Sequence, residues 1–343
     1  MKLKNIVLSL VCAALFAPVL RAQDADTAFK RSLSIKFDAR VDGKYDYFTK
    51  TSSDQFGFYG KYIFFQMSGD INRSISYGYR ARLIKDNAVP NLFDATDWMW
   101  VKFKFNKNFS LSFGKEVLQI GGYEYDRNPM DVYFFADFWS NMAPFQLGGT
   151  LHYLTDDGKH NIRLQISNSL HTTKLFESIL CYNLIWYGNF GCFKPMYSLN
   201  FFEVERGKFI NYISLGNRFE WGLMAWELDY TNRAALSKSN NKFFSDFSVI
   251  SNMDFAVSDK WVVFVKGGYE QNKAEDPLAS FAYDRLVHPG DSHYYYGAGF
   301  EYYPLVDQRN NVRIHAFLYS GNYSGTPVSF NVGVRWQMYL INR

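Results

Sequence analysis

Apolar and polar residues alternate along almost the whole of this chain. Near the C-terminus, Val328, Phe330, Val332, Val334, Trp336, Met338 and Leu340 fall on one face, and Ser329, Asn331, Gly333, Arg335, Gln337 and Tyr339 on the other. A period of two is that of a β-strand. The run is longer than the roughly five or six residues usual for strands of soluble sheets. Residues 33–41 repeat the pattern, with Leu33, Ile35, Phe37, Ala39 and Val41 against Ser34, Lys36, Asp38, Arg40 and Asp42. Ile75, Tyr77, Tyr79, Ala81 and Leu83 stand against Ser76, Gly78, Arg80 and Arg82, and Met99, Val101, Phe103 and Phe105 against Lys102 and Lys104. Further strands are predicted at 57–68, 109–114, 146–154, 161–169, 179–187, 196–204, 209–219, 224–230, 244–257, 261–270, 293–302 and 312–319, sixteen in all. The register of 57–68 is ambiguous, because both of its faces are apolar.

The links between these strands alternate in length. Those at 106–108, 156–159, 188–191, 219–222 and 258–260 are short, and those at 43–56, 85–97, 115–145, 231–242 and 271–292 are longer. A short link at 205–208 and a long one at 303–311 break the rule. Short turns on one side and long loops on the other belong to an outer-membrane β-barrel, with the short turns periplasmic. An even strand number then puts both termini in the periplasm.

Processing and composition agree with that class. Lys2 and Lys4 precede an apolar core at 6–20, and Leu20-Arg21-Ala22 is a cleavage site, so residues 1–22 read as a secretory signal and 23–343 as one barrel domain. Cys12 raises a lipoprotein reading, but Val11 is bulky for the position before a lipidated cysteine, and apolar sequence continues beyond it. No later stretch has eighteen consecutive apolar residues, which excludes a helical span. Aromatic residues make up 19% of the chain, more than a soluble domain carries, and no short repeat of a β-helix is visible.

Charge and cysteines narrow the partners. The chain has 37 Lys and Arg, three of them in the signal, against 33 acids, so the mature protein is nearly neutral and its charge gives no argument for nucleic acid. Cys181 and Cys192 flank the turn at 188–191 unequally, so opposed hairpin positions are not available to them and two free thiols are expected. No Cys/His cluster has zinc spacing.

The longest interruption, residues 115–145, carries Glu124, Asp126, Asp131 and Asp137 with Arg127, many aromatics and the pair Gly121-Gly122. Phe113-Gly114-Lys115, Gly121-Gly122-Tyr123-Glu124-Tyr125-Asp126 and Asn128-Pro129-Met130-Asp131-Val132-Tyr133 give the chain its sharpest resemblance to the bacterial porins related to the phosphate-selective porins O and P. That resemblance implies a homotrimer whose third loop, here 115–145, folds into each pore and constricts it.

On the alternation, Lys36, Arg40, Arg80, Arg82, Lys102, Lys104 and Arg335 face inward as a basic wall, with Asp38 and Asp42 as counterweights. An acidic constriction (Glu124, Asp126, Asp131 and Asp137, with Arg127) opposite that wall would set up a transverse field that sorts solutes by charge. Relatives selective for phosphate use a ladder of Arg and Lys. Here Glu227, Asp229, Asp254, Glu270 and Glu301 also point inward, and this mixture favours a general, slightly anion-preferring pore. Alternation of Glu124, Asp126, Asn128 and Asp131 is loosely like a calcium loop, but Pro129 breaks the EF-hand pattern, so a solvated loop is the simpler reading. Asp284, His288, Asp291 and His293 admit a rim hydrolase, and Tyr45, Tyr47, Phe48 and Phe56 a surface-binding barrel. The sequence as a whole points to a passive porin in the outer membrane of a Gram-negative bacterium, bathed in lipid, passing small hydrophilic or anionic solutes and needing no cofactor.

Overall fold

The computed structural model describes residues 31–83, 95–140, 142–172, 178–235, 246–272, 292–309, 311–322 and 327–342. The expected signal, Cys12, and Asp284, His288 and Asp291 lie outside the described residues.

Sixteen antiparallel strands form a closed barrel. They are β1 (Ser32–Phe48), β2 (Ser53–Asn72), β3 (Ile75–Arg82), β4 (Thr96–Lys104), β5 (Phe109–Val117), β6 (Phe145–Leu154), β7 (His160–Asn168) and β8 (Leu180–Gly188), followed by β9 (Phe193–Glu205), β10 (Lys208–Trp221), β11 (Met224–Ala235), β12 (Asp246–Ser258), β13 (Trp261–Asn272), β14 (Ser292–Tyr302), β15 (Val312–Gly321) and β16 (Val328–Asn342). Each pairs with its neighbour in sequence, and β16 closes on β1, where Arg40 stands opposite Arg335. Closure leaves no unpaired edge, as a strand in hydrocarbon requires. No helix among the described residues is long and apolar enough to cross a membrane.

The alternation translates directly into two faces. On β16, Phe330, Val332, Val334 and Met338 are exposed, while Ser329, Asn331, Arg335 and Gln337 are buried. An apolar outside and a polar inside is the reverse of a soluble protein. Aromatic rings gather beside the short turns. Phe219 stacks with Phe193, Trp221 and Trp226 at 5.1–5.4 Å, Phe109 lies 4.8 Å from Tyr153, and Trp261 lies 4.6 Å from Tyr302. Such a belt suits the headgroup region, where a ring meets both oil and water.

One expected loop is strand. Residues 43–56 continue the β1–β2 ladder to Phe48↔Ser53, with Tyr47 opposite Asp54. The sequence there looks polar because Lys44 and Asp46 sit on the inner face, 2.7 Å apart, between outward Tyr45 and Tyr47. Bulges shift the register at several places, and two of them re-aim charged residues. Between Arg40/Val41 and its β2 partners the pairing skips Lys61, and between Arg80/Ala81 and β4 it skips Asp97. A bulge re-aims the extra residue. Lys61 and Asp97 thereby join the inner face next to Tyr62 and Trp98.

Cys181 is buried at one end of β8, and exposed Cys192 lies in the turn beyond the other. Some seven residues of strand at about 3.3 Å each separate them, too far for a bond that needs Cα atoms within about 7 Å. Both thiols are free.

Candidate functional site

Residues 118–144 connect β5 to β6. Leu118 N donates to Pro144 O at 2.7 Å, so the segment leaves and returns at one neck. It contains two single-turn helices, α1 (Tyr123–Asp126) and α2 (Asp137–Ser140), and a 3-10 turn at Pro129–Asp131. Asn128 starts that turn by accepting from Met130 N at 3.1 Å. This use of its side chain removes Asn128 from any calcium set, and no metal-holding cluster exists among the described residues.

Side chains of many strands hold this segment. Asp229 of β11 accepts from Tyr123 N and Glu124 N, each at 2.9 Å. Arg127 pairs with Glu227 of β11 at 2.8 Å and Asp254 of β12 at 2.7 Å. Asp131 pairs with Arg313 of β15 at 2.6 Å and Arg335 of β16 at 2.5 Å. Tyr133 donates to Glu301 of β14, and Phe138 N to Glu270 of β13 at 3.0 Å. Glu124 receives Lys266 of β13 at 2.6 Å and accepts from Ala136 N at 2.8 Å. Gly121 N donates to Ser198 of β9 at 2.7 Å, and Asn200 of β9 donates to Gln119 O at 2.8 Å. A Cβ on Gly121 would stand 2.8 Å from Met196 O, so only glycine lets the chain lie this close to β9.

The five acids read as free lumen charge, Glu227, Asp229, Asp254, Glu270 and Glu301, are therefore bound to the segment. An apolar cluster fastens it further. Leu118, Ile120, Phe134, Phe138 and Trp139 pack with Phe202, Tyr212, Ile250, Phe264 and Phe317 of the strands. These inward apolar side chains depart from the wholly polar inner face expected from alternation.

The expected basic residues divide into three groups. Arg40 is fully buried. It pairs with Asp42 at 2.6 Å, donates to Met130 O at 3.1 Å and Val132 O at 3.3 Å, and lies 4.8 Å from the Tyr133 ring. It is a fastening rather than a water-facing wall charge. Arg335 also fastens, holding Asp38 at 2.7 Å together with Asp131. Arg80 and Arg82 share Asp97 at 3.0 and 3.4 Å. Lys36 lines the same cavity as Arg80 and Arg82, whereas Lys102 lines the next one and Lys104 is exposed at the end of β4. Of the expected loop residues, Asp126 is exposed to the cavity, and the side chain of Asp137 lies outside the described residues. His293, from the hydrolase reading, is paired with Asn322 at 2.9 Å.

Between the segment and β1–β4 lies a cavity of about 660 Å³, lined by Lys36, Lys61, Arg80 and Arg82 with Tyr62 and Trp98. A second, of about 360 Å³, holds Lys102 and Arg163 and shares Gln66, Trp98 and Val117 with the first, so the two adjoin. Lys61 was missed in the sequence because a bulge is invisible to strict alternation; the ambiguous register of its strand was the trace it left.

Two outcomes follow from these fastenings. Arg40→Ala leaves the Asp42 charge buried without its guanidinium and should cost about 3–5 kcal/mol, read as a lower melting temperature of the heat-modifiable folded band. Burial pushes the Asp131 carboxyl up, but Arg313 and Arg335 outweigh it and hold it below its ordinary 3.8. That stabilisation is complete above the unfolded value and is lost as pH falls through the lower folded one. Currents through the protein should be steady at neutral pH and flicker only once acid reaches below the ordinary carboxylate range, and Asp131→Asn should flicker at neutral pH.

The closed sixteen-stranded barrel, its outward apolar band and its inward charges define an outer-membrane porin fold, and place the protein in the outer membrane of a Gram-negative bacterium. Residues 33–178 match the family model of phosphate-selective porin O and P. Among solved structures, the outer membrane channel DcaP of Acinetobacter baumannii superimposes with a TM-score of 0.66 at 9% identity, over 92% of this chain and 99% of that one. An anion-selective porin from Comamonas acidovorans gives 0.64 at 11%, over 90% and 100%. OmpT of Vibrio cholerae, in its trimer form, gives 0.59 at 14%, over 91% and 100%. No curated protein matches the sequence.

Proposed function

We propose that this protein is a passive diffusion porin for small hydrophilic solutes with a preference for anions. The segment 118–144 is read as a third loop folded into the lumen, where it fixes the bore. The observation that carries this reading is the placement of its fastenings. They gather on β1, β9 and β11–β16, and the adjoining cavities run beside β1–β7, past Lys36, Lys61, Arg80, Arg82, Lys102 and Arg163. Glu227, Asp254 and Glu301 also line cavities of about 420 and 600 Å³ on the β10–β14 side, but each is paired there with an arginine, whereas the cavities beside β1–β7 carry more cations than acids. Lined this way, the pore favours anions by long-range field.

The family match and the anion-selective porin among the similar folds support the same direction. The proposal extends to a homotrimer, for which the trimer form of OmpT among the similar folds is the support, and to export by a signal at 1–22. Liposomes carrying the purified protein are expected to swell in small neutral solutes such as glycine or arabinose, with a sharp decline for disaccharides. Swelling no faster than empty liposomes, from folded and inserted protein, would overturn the reading.

A further inference from the structure

The cations beside β2–β4 are not bare. Arg80 stacks on Trp98 with its guanidinium 3.5 Å from the ring centre and has Phe64 at 4.4 Å on another side. Arg82 lies 4.7 Å from the Tyr62 ring. Lys61 stands between two rings, Tyr62 of the wall at 5.6 Å and Phe135 of the loop at 5.4 Å. One ammonium thus touches an aromatic face on each side of the cavity. Both bulges contribute, since they bring Lys61 and Asp97 to the level of Tyr62 and Trp98.

A small inorganic anion gains nothing from such rings. It carries a tight hydration shell, and an aromatic wall offers no donor to replace it. A flat organic anion gains from both parts. Its carboxylate meets Lys61 and Arg82, and its apolar body slides against Tyr62 and Phe135, burying surface on each.

Resting on the porin reading above, we propose that the slot between Lys61, Arg82, Tyr62 and Phe135 selects aryl carboxylates over inorganic and short aliphatic anions. Arg80 serves it as a positioning residue: its stacking on Trp98 and Phe64 and its pairing with Asp97 leave Arg82 less fully neutralised, because one carboxylate serves both arginines. Among the described residues, Lys61 has no ion-pair partner, so its charge is available to a solute.

The test is competition in planar bilayers with the full protein. Chloride current is recorded while sodium benzoate, acetate or phosphate is added at equal concentration. Benzoate is expected to reduce the current at a concentration at least about twofold lower than acetate, the weight of a weak ring contact. In Tyr62→Ala with Phe135→Ala, benzoate and acetate should inhibit the remaining chloride current equally. Equal inhibition by benzoate and acetate in the unmodified protein would overturn the slot and leave the porin standing. Stronger inhibition by phosphate than by benzoate would overturn it in favour of an inorganic oxyanion. An absence of current steps would overturn the channel on which it rests.

Discussion

Replacing residues 120–142 by a short Gly-Ser turn is expected to raise single-channel conductance several-fold and to remove most of the discrimination among solutes by size. The substitution is geometrically mild. Val117 and Phe145 are already paired, and Leu118 N to Pro144 O at 2.7 Å closes the neck, so a short link joins β5 to β6 without pulling either strand. The ladder that closes the barrel, β1 on β16, does not involve the segment. Its removal takes Arg127 from Glu227 and Asp254, Asp131 from Arg313 and Arg335, and Glu124 from Lys266, and hydrates the apolar side chains that now pack on it. A barrel that folds, inserts and conducts as before would contradict the placement of the loop in the lumen. The melting temperature is expected to fall as well, since a large apolar contact around Phe138, Phe202, Tyr212, Phe264 and Phe317 is lost.

Lys36→Glu combined with Lys61→Glu is expected to turn an anion preference into a cation preference. Both line the cavity of about 660 Å³, and neither is among the residues that fasten the loop. The exchange alters the wall of that cavity by four unit charges. At the partly screened dielectric of a wet protein surface each is worth about 0.5 kcal/mol or more to a passing ion, so the permeability ratio should shift at least about tenfold. Arg40 and Arg335 give a contrasting outcome, because their guanidinia are consumed by Asp42, Asp38 and the loop. Substituting them should change stability and gating noise far more than ion preference. A double glutamate variant with unchanged selectivity would remove β1 and β2 from the filter.

The strands were legible because a lipid-facing barrel writes its two faces in the simplest period a chain can carry. Val328 to Leu340 needs nothing else to be read. The hairpin at 43–56 was lost because Lys44 and Asp46, which pair inside the barrel, look like loop residues when read without their outward partners Tyr45 and Tyr47. Lys61 was lost because it is the extra residue of a bulge in a strand whose two faces both read as apolar, and Asp97 because it was read as the end of the link at 85–97. The loop was found by its length and composition, but its docking side was not. That side was marked by Phe202, Ile250, Phe264 and Phe317, apolar residues on faces otherwise polar, and by acids on the same strands that meet backbone amides and Arg127. Pairing over a hundred residues of sequence cannot be derived from spacing; it depends on the closed barrel that brings β9–β16 around to the loop.

The measurement closest to the central claim is the zero-current potential of the full protein in a planar bilayer across a tenfold potassium chloride gradient. A potential on the chloride side, from steady ohmic steps, is the result predicted by a basic passage beside β1–β7 with the acids of β11–β14 spent on the loop. A potential on the potassium side, from equally steady steps, would contradict it and would mean that those acids face the ions after all.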